Sequence, residues 1–168
     1  MVLGQTSNCS TTDKKINKAL EEANNATNFD DFVKRLAAVI SKYPNNVQAY
    51  FYLGQIHYQQ GMATMSQNRS SGEKLLQKSL LFYQASIQKC PSHHSDAYFY
   101  AARLLYSFSE KPAALTYLET FMTFDSIYPG EQASNYTKLK EEILPVYKEL
   151  RFPLDAKANP VPYNVARV

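Results

Sequence analysis

Apolar residues recur at helical spacing along most of the chain. Ile16, Ala19, Leu20 and Ala23 stand at i, i+3, i+4 and i+7, which predicts a first helix from Lys14. Asn25 to Asn28 interrupt it. Asp30 or Asp31 then suits the cap of a second helix with Phe32, Leu36, Val39 and Ile40 on its apolar face, stopped by Pro44. A third helix follows Asn45-Asn46, with Ala49, Tyr50, Leu53, Ile56 and His57 on one face and Gly61 at its end. The polar run 62–72 reads as a long loop. A fourth helix is expected from about Glu73 to Lys89, a fifth over Asp96 to Phe108 and a sixth over Ala113 to Phe124. A seventh, about Gln132 to Leu150, carries Pro145, which it must tolerate or kink around. No segment alternates with period two between hairpin signals, so the expected class is all-α.

Composition narrows the function classes. Only 5 of the 168 residues are glycine, leaving little material for phosphate-cradling loops. Thirteen Tyr and nine Phe without a Trp suit half-buried helical surfaces, where a ring packs and a hydroxyl stays wet. The formal charge of +3 comes from interspersed cations and anions, with no basic stripe for nucleic acid. No apolar run approaches the ~18 residues of a membrane span. Nucleophile-elbow, zinc-protease, phosphate-loop and dinucleotide motifs are all missing, so a non-catalytic protein without cofactor or metal is expected. Cys90, His93 and His94 cluster around Pro91, but without a second ligand set they read as a solvated turn. At the start, Val2 and Gly4 precede Gln5 in the small-residue pattern of a cleaved export signal.

The helices come in pairs. Ala49-Tyr50, Leu53-Gly54 and His57, followed by Ser79, Tyr83, Ser86 and Pro91, resemble the tetratricopeptide repeat, in which a glycine lets paired helices approach and a proline ends the second. Pro44 and Pro91 stand 47 residues apart, about thirteen more than the usual ~34, an excess assigned to the 62–72 loop. Ile16 to Pro44 and Ala97 to Phe121 give weaker flanking repeats, and the seventh helix would cap the stack. The resemblance implies a solenoid of three helix pairs plus that cap over residues 13–152, between a tail at 1–12 and an extended proline-rich linker at 153–168.

A narrower resemblance lies at the C-terminus. Asn159-Pro160-Val161-Pro162-Tyr163-Asn164, after a helix ending at Leu150-Arg151-Phe152, is similar to the junction between repeats and β-propeller in a family of Bacteroidota envelope proteins. These proteins carry tetratricopeptide repeats, a propeller and an OmpA-like peptidoglycan-binding domain, and the family includes a component of the type IX secretion machinery. The resemblance implies an N-terminal module, exported to the periplasm and associated with the outer membrane. It would bind a protein or peptide partner, with no peptidoglycan binding of its own and membrane contact only through other parts or partners.

In the repeat family, function lies on the concave face made by the first helix of each pair. The matching positions here are Gln48, Phe51, Gln55, Tyr58 and Gln59, then Asp96, Phe99, Arg103, Tyr106 and Ser107. The first pair supplies Lys14, Asn17, Glu21, Asn24 and Asn25. Rings offer contact area at low entropic cost, and amides and a guanidinium offer hydrogen bonds to a peptide. Some of the rings are expected to pack between helices instead. In an oxidising periplasm Cys9 and Cys90 form a candidate disulfide pair. Four Asn-x-Ser/Thr sequons, at Asn8, Asn25, Asn68 and Asn135, are the number an Asn-, Ser- and Thr-rich chain produces by chance.

Overall fold

The computed structural model describes residues 13–124 and 131–152, with side chains in the second stretch from Tyr136 onward. The readings placed on residues 1–12 (Cys9 included), on the sequon side chain Asn135 and on the linker 153–168 lie outside the described residues. Seven helices form: α1 (Lys14–Asn24), α2 (Phe29–Lys42), α3 (Val47–Met65), α4 (Arg69–Lys89), α5 (Ser95–Ser107), α6 (Lys111–Thr123) and α7 (Glu131–Arg151). No strand occurs among the described residues, and the fold is all-α. The chain divides into two compact units, Met1–Ala97 and Tyr98–Val168, with the boundary inside α5.

Asparagines start most helices of the first unit. Asn28, Asn46 and Asn68 accept hydrogen bonds from the backbone N–H of Asp31, Ala49 and Ser71 at 2.9, 2.8 and 3.0 Å. Each satisfies one of the orphan donors at a helix N-terminus. The cap of α2 is therefore Asn28 rather than Asp30 or Asp31, which lie inside the first turn where their charge favours the helix dipole. The sequon at Asn68 coincides with such a cap.

The segment 62–72 is not a loop. The helix α3 continues to Met65, three residues turn, and α4 begins at Arg69. Glycines explain why a polar, glycine-containing stretch stays helical here. A Cβ on Gly54 would lie 2.8 Å from two ring carbons of Tyr83, one on Gly61 would lie 2.7 Å from Leu76 Cδ2, and one on Gly72 would lie 2.8 Å from Met65 Cγ. All three distances are below ordinary contact of ~3.5 Å, so α3 and α4 approach more closely than any side chain would permit. Ser79 Oγ donates to the Gly54 carbonyl at 2.8 Å, fixing the register of the pair.

The core of this unit joins Leu20 and Ala23 of α1, Leu36 and Val39 of α2, and Ala49 and Leu53 of α3. Phe32, Tyr52 and Phe82 pack around it. Because α3 is flanked by both α2 and α4, its buried residues (Val47, Ala49, Phe51, Leu53, Gly54, His57, Gly61) occupy more than one face.

In the second unit, Phe99 and Phe121 lie 5.7 Å apart between α5 and α6, and Tyr136 of α7 packs on Phe121 at 5.1 Å. The Tyr136 hydroxyl donates to the Phe121 carbonyl at 2.9 Å, satisfying a group near the end of α6. Tyr136, Leu139 and Ile143 form the buried stripe of α7. Pro145 stays within this continuous helix, on its exposed side, where solvent serves the carbonyl a proline leaves unpaired. The turn after α5 closes with Glu110 N–H donating to the Leu105 carbonyl at 2.9 Å, and Ser109 takes φ 67°, the position usually given to glycine.

Two substitutions test this account. Gly54→Ala is expected to lose about 1–3 kcal/mol in urea unfolding, although alanine gains ~1 kcal/mol of helix propensity. An unchanged or higher midpoint would show that the helices separate freely. Ser109→Gly is expected to gain roughly 0.5–1 kcal/mol by removing left-handed strain, and a loss would show that Ser109 contributes a contact that outweighs it.

Candidate functional site

The anticipated groove residues take different places once each unit is considered by itself. Phe51 and Phe99 are core rings and do not line a groove. Phe51 is 5 % exposed and Phe99 fully buried. Phe51 meets Tyr83 edge-on at 5.8 Å and stacks on His94 at 3.9 Å with 11° between the rings.

Arg103 and Tyr106, expected to face a partner, are taken by α7. Arg103 pairs with Glu142, and the Tyr106 hydroxyl donates to Glu149 Oε2 at 2.9 Å. Lys111 Nζ reaches Glu149 Oε1 at 3.1 Å. The Tyr106 hydroxyl and then Lys111 hold the Glu149 carboxyl below its ordinary range. The helix α7 thus lies along the α5 surface that the repeat pattern reserves for ligands. Asp96, on the first turn of α5, is half-buried; burial raises its carboxyl pKa, and Ser95 Oγ donates to it at 3.4 Å.

Three others stay accessible on α3. Gln55 and Gln59 line a cleft of about 180 Å³ with Asn24, Phe32, Tyr52 and Ile56. Tyr58 is half-exposed on the same helix. The lining is rings and amides without a charged group, a surface suited to peptide backbone. Asn24 was anticipated from the first pair; Phe32 and Tyr52 were not, since periodicity placed Phe32 on an apolar face. A larger cleft of about 550 Å³ runs between α1 and α2, edged by Lys15, Lys18, Glu22, Arg35 and Lys42 over Ala19, Ala23 and Val39. Sequence reasoning missed it because its cations are far apart in the chain.

Gln48, the other anticipated residue of α3, is turned to the α4–α5 connection. Its Oε1 lies 2.7 Å from His94 Nε2 and 3.3 Å from His93 Nε2. Burial lowers both imidazoles, that of His94, beside His93, to about 3. Cys90 is 2 % exposed and engaged in a disulfide, so it is not a free thiol. His57 is a packing residue: it lies against Phe29 and Phe82, with Nδ1 2.8 Å from the Leu53 carbonyl.

Among the described residues no group of three or more His, Cys, Asp or Glu converges, and no helix is long and apolar enough to cross a membrane. No protein-family model matches the chain, and no curated protein matches it in sequence.

The His94 environment sets a pH dependence. Its folded-state pKa lies below the unfolded value near 6.5, so the unfolded chain binds the extra proton first. The stability His94 packing provides is intact above pH ~6.5 and falls as pH drops from there toward about 3. Asp96 works in the opposite direction, because its raised carboxyl is relieved by protonation. The destabilisation caused by His94→Phe, measured by denaturant unfolding, is therefore expected to be largest near pH 7.5 and to shrink toward pH 4. A gap that stays constant would show that His94 does not titrate on unfolding.

Proposed function

We propose that this chain is a tetratricopeptide-type α-solenoid that binds a protein partner and catalyses no reaction. The pairs α1–α2, α3–α4 and α5–α6 are its repeats, and α7 is its cap. In this reading it is the N-terminal module of a periplasmic, outer-membrane-associated component of a type IX secretion machinery, and its ligand is an extended peptide segment. The observation that carries the repeat assignment is the α3–α4 pair: Gly54 lies under Tyr83 and its carbonyl accepts from Ser79, with glycine and small residue where the repeat pattern needs them. The observation that carries binding is the uncharged cleft of Gln55, Gln59, Asn24 and Tyr52 on the side of α3 that the repeat family uses for ligands.

A second reading is favoured by α7. Arg103 and Tyr106, two residues of α5 expected in the groove, are already engaged from within the chain. A module whose remaining surface packs only against its own downstream propeller would have no external ligand.

One experiment separates the readings. A photo-crosslinking residue is placed at Gln55 or Gln59 of the full-length protein in its native host, with Arg103 as the control position. The partner-binding reading expects an intermolecular adduct to one protein from the α3 positions and little from Arg103. An adduct within the same polypeptide establishes the architectural reading. Since the cleft is uncharged, adduct yield is expected to change little with salt. Equal crosslinking from all three positions would sink the groove assignment.

A further inference from the structure

Three potential ligand atoms lie close together at the α4–α5 turn, and nothing in the proposed function uses them. Gln48 Oε1 stands 2.7 Å from His94 Nε2 and 3.3 Å from His93 Nε2. Cis ligands of a transition ion with bonds of 2.0–2.1 Å are separated by about 3 Å, so two edges of a coordination triangle are already near the required length. The ring centroids of His93 and His94 lie 4.2 Å apart. An ion bound in line with both Nε2 atoms at the usual metal–nitrogen distance would then subtend roughly 80° between the rings. That angle is far from tetrahedral and close to the cis angle of a tetragonal site.

We propose that His93, His94 and Gln48 form a binding site for a tetragonal divalent ion, Cu(II) or Ni(II), with water completing its coordination. Imidazole nitrogen with an oxygen in cis arrangement is the donor set these ions prefer, and Cu(II) is bound most tightly in the divalent series. Several features support the site. Phe51 stacks flat on His94 and restrains its ring direction. Half-exposure of His93 leaves a side open to solvent. Without metal, each Nε2–H donates to the single amide oxygen, whose two lone pairs take both. On binding, each neutral ring carries its one proton on Nδ1 and presents the Nε2 lone pair, so the rings release no proton. Competing imidazole and thiolate ligands are few: the chain has three His and two Cys, His57 is buried against Phe29, and Cys90 is in a disulfide. The site is independent of the partner-binding reading, since it involves none of the cleft residues.

The test is a titration of Cu(II) into the full chain without an affinity tag, followed by calorimetry and by electron paramagnetic resonance. The expected result is one site per chain and a tetragonal spectrum with hyperfine coupling to two imidazole nitrogens. Loss of outer-shell partners alone costs metal sites about 10- to 100-fold in affinity, so His93→Ala is expected to weaken binding at least ~10-fold and leave at most one coupled nitrogen. His93 is the informative position because its ring is the more exposed. Should His94→Ala unfold the turn, circular dichroism shows it, and His93→Ala with Gln48→Leu still decides the matter. Absence of one-to-one binding, a single coupled nitrogen in the wild type, or unchanged affinity in His93→Ala each overturns the proposal.

Discussion

The first unit depends on how closely two helix backbones can approach. Gly54, Gly61 and Gly72 remove the side chains that would keep α3 and α4 apart, and Tyr83, Leu76 and Met65 fill the space left. From that contact a chain of consequences follows. Tyr83 is driven fully into the interior, where it meets Phe51, and Phe51 in turn supports the His94 ring. Gln48 then ties that ring back to the first turn of α3. The same hairpin offers its other side to α2, against which α1 packs in turn.

In the second unit the corresponding constraint comes from α7. Aromatic packing among Phe99, Phe121 and Tyr136 holds the three helices, and the polar contacts from α7 to Arg103, Tyr106 and Lys111 ring its margin. These outer pairs are exposed and contribute more to orientation than to stability. Their consequence is functional: the two units present unlike surfaces, one with a cleft of rings and amides and one already occupied by a helix of the same chain.

Much of this was legible in the amino-acid order. All seven helices follow from apolar spacing, and Gly54 was identifiable as a close-approach glycine because Leu53 and Tyr50 flank it in the repeat pattern. Gly61 and Gly72 were not. A glycine near a polar stretch reads as a terminator, and only a partner helix reveals that it is a packing site. The polar run 62–72 misled for the same reason, since one helix pair standing past its neighbour needs apolar residues on one narrow seam alone. Phe51 and Phe99 could not be told from groove rings by position, because burial depends on which helices arrive from elsewhere in the chain. The engagement of Arg103 and Tyr106 rests on pairings some forty residues distant, which local periodicity does not encode.

The extra length of α3 and α4 has a geometric consequence. Phe29, the first residue of α2, lies against His57, so the last two turns of α3 and the first turns of α4 run on past the start of α2. They form a two-helix finger whose seam is lined by Gly61 and Gly72. Such a finger can change length only in matched steps. Removing one turn from both helices, with a glycine on each side kept in register, shortens it and leaves everything below untouched. Removing residues from one helix alone rotates the seam by ~100° per residue and sets side chains where the glycines belong.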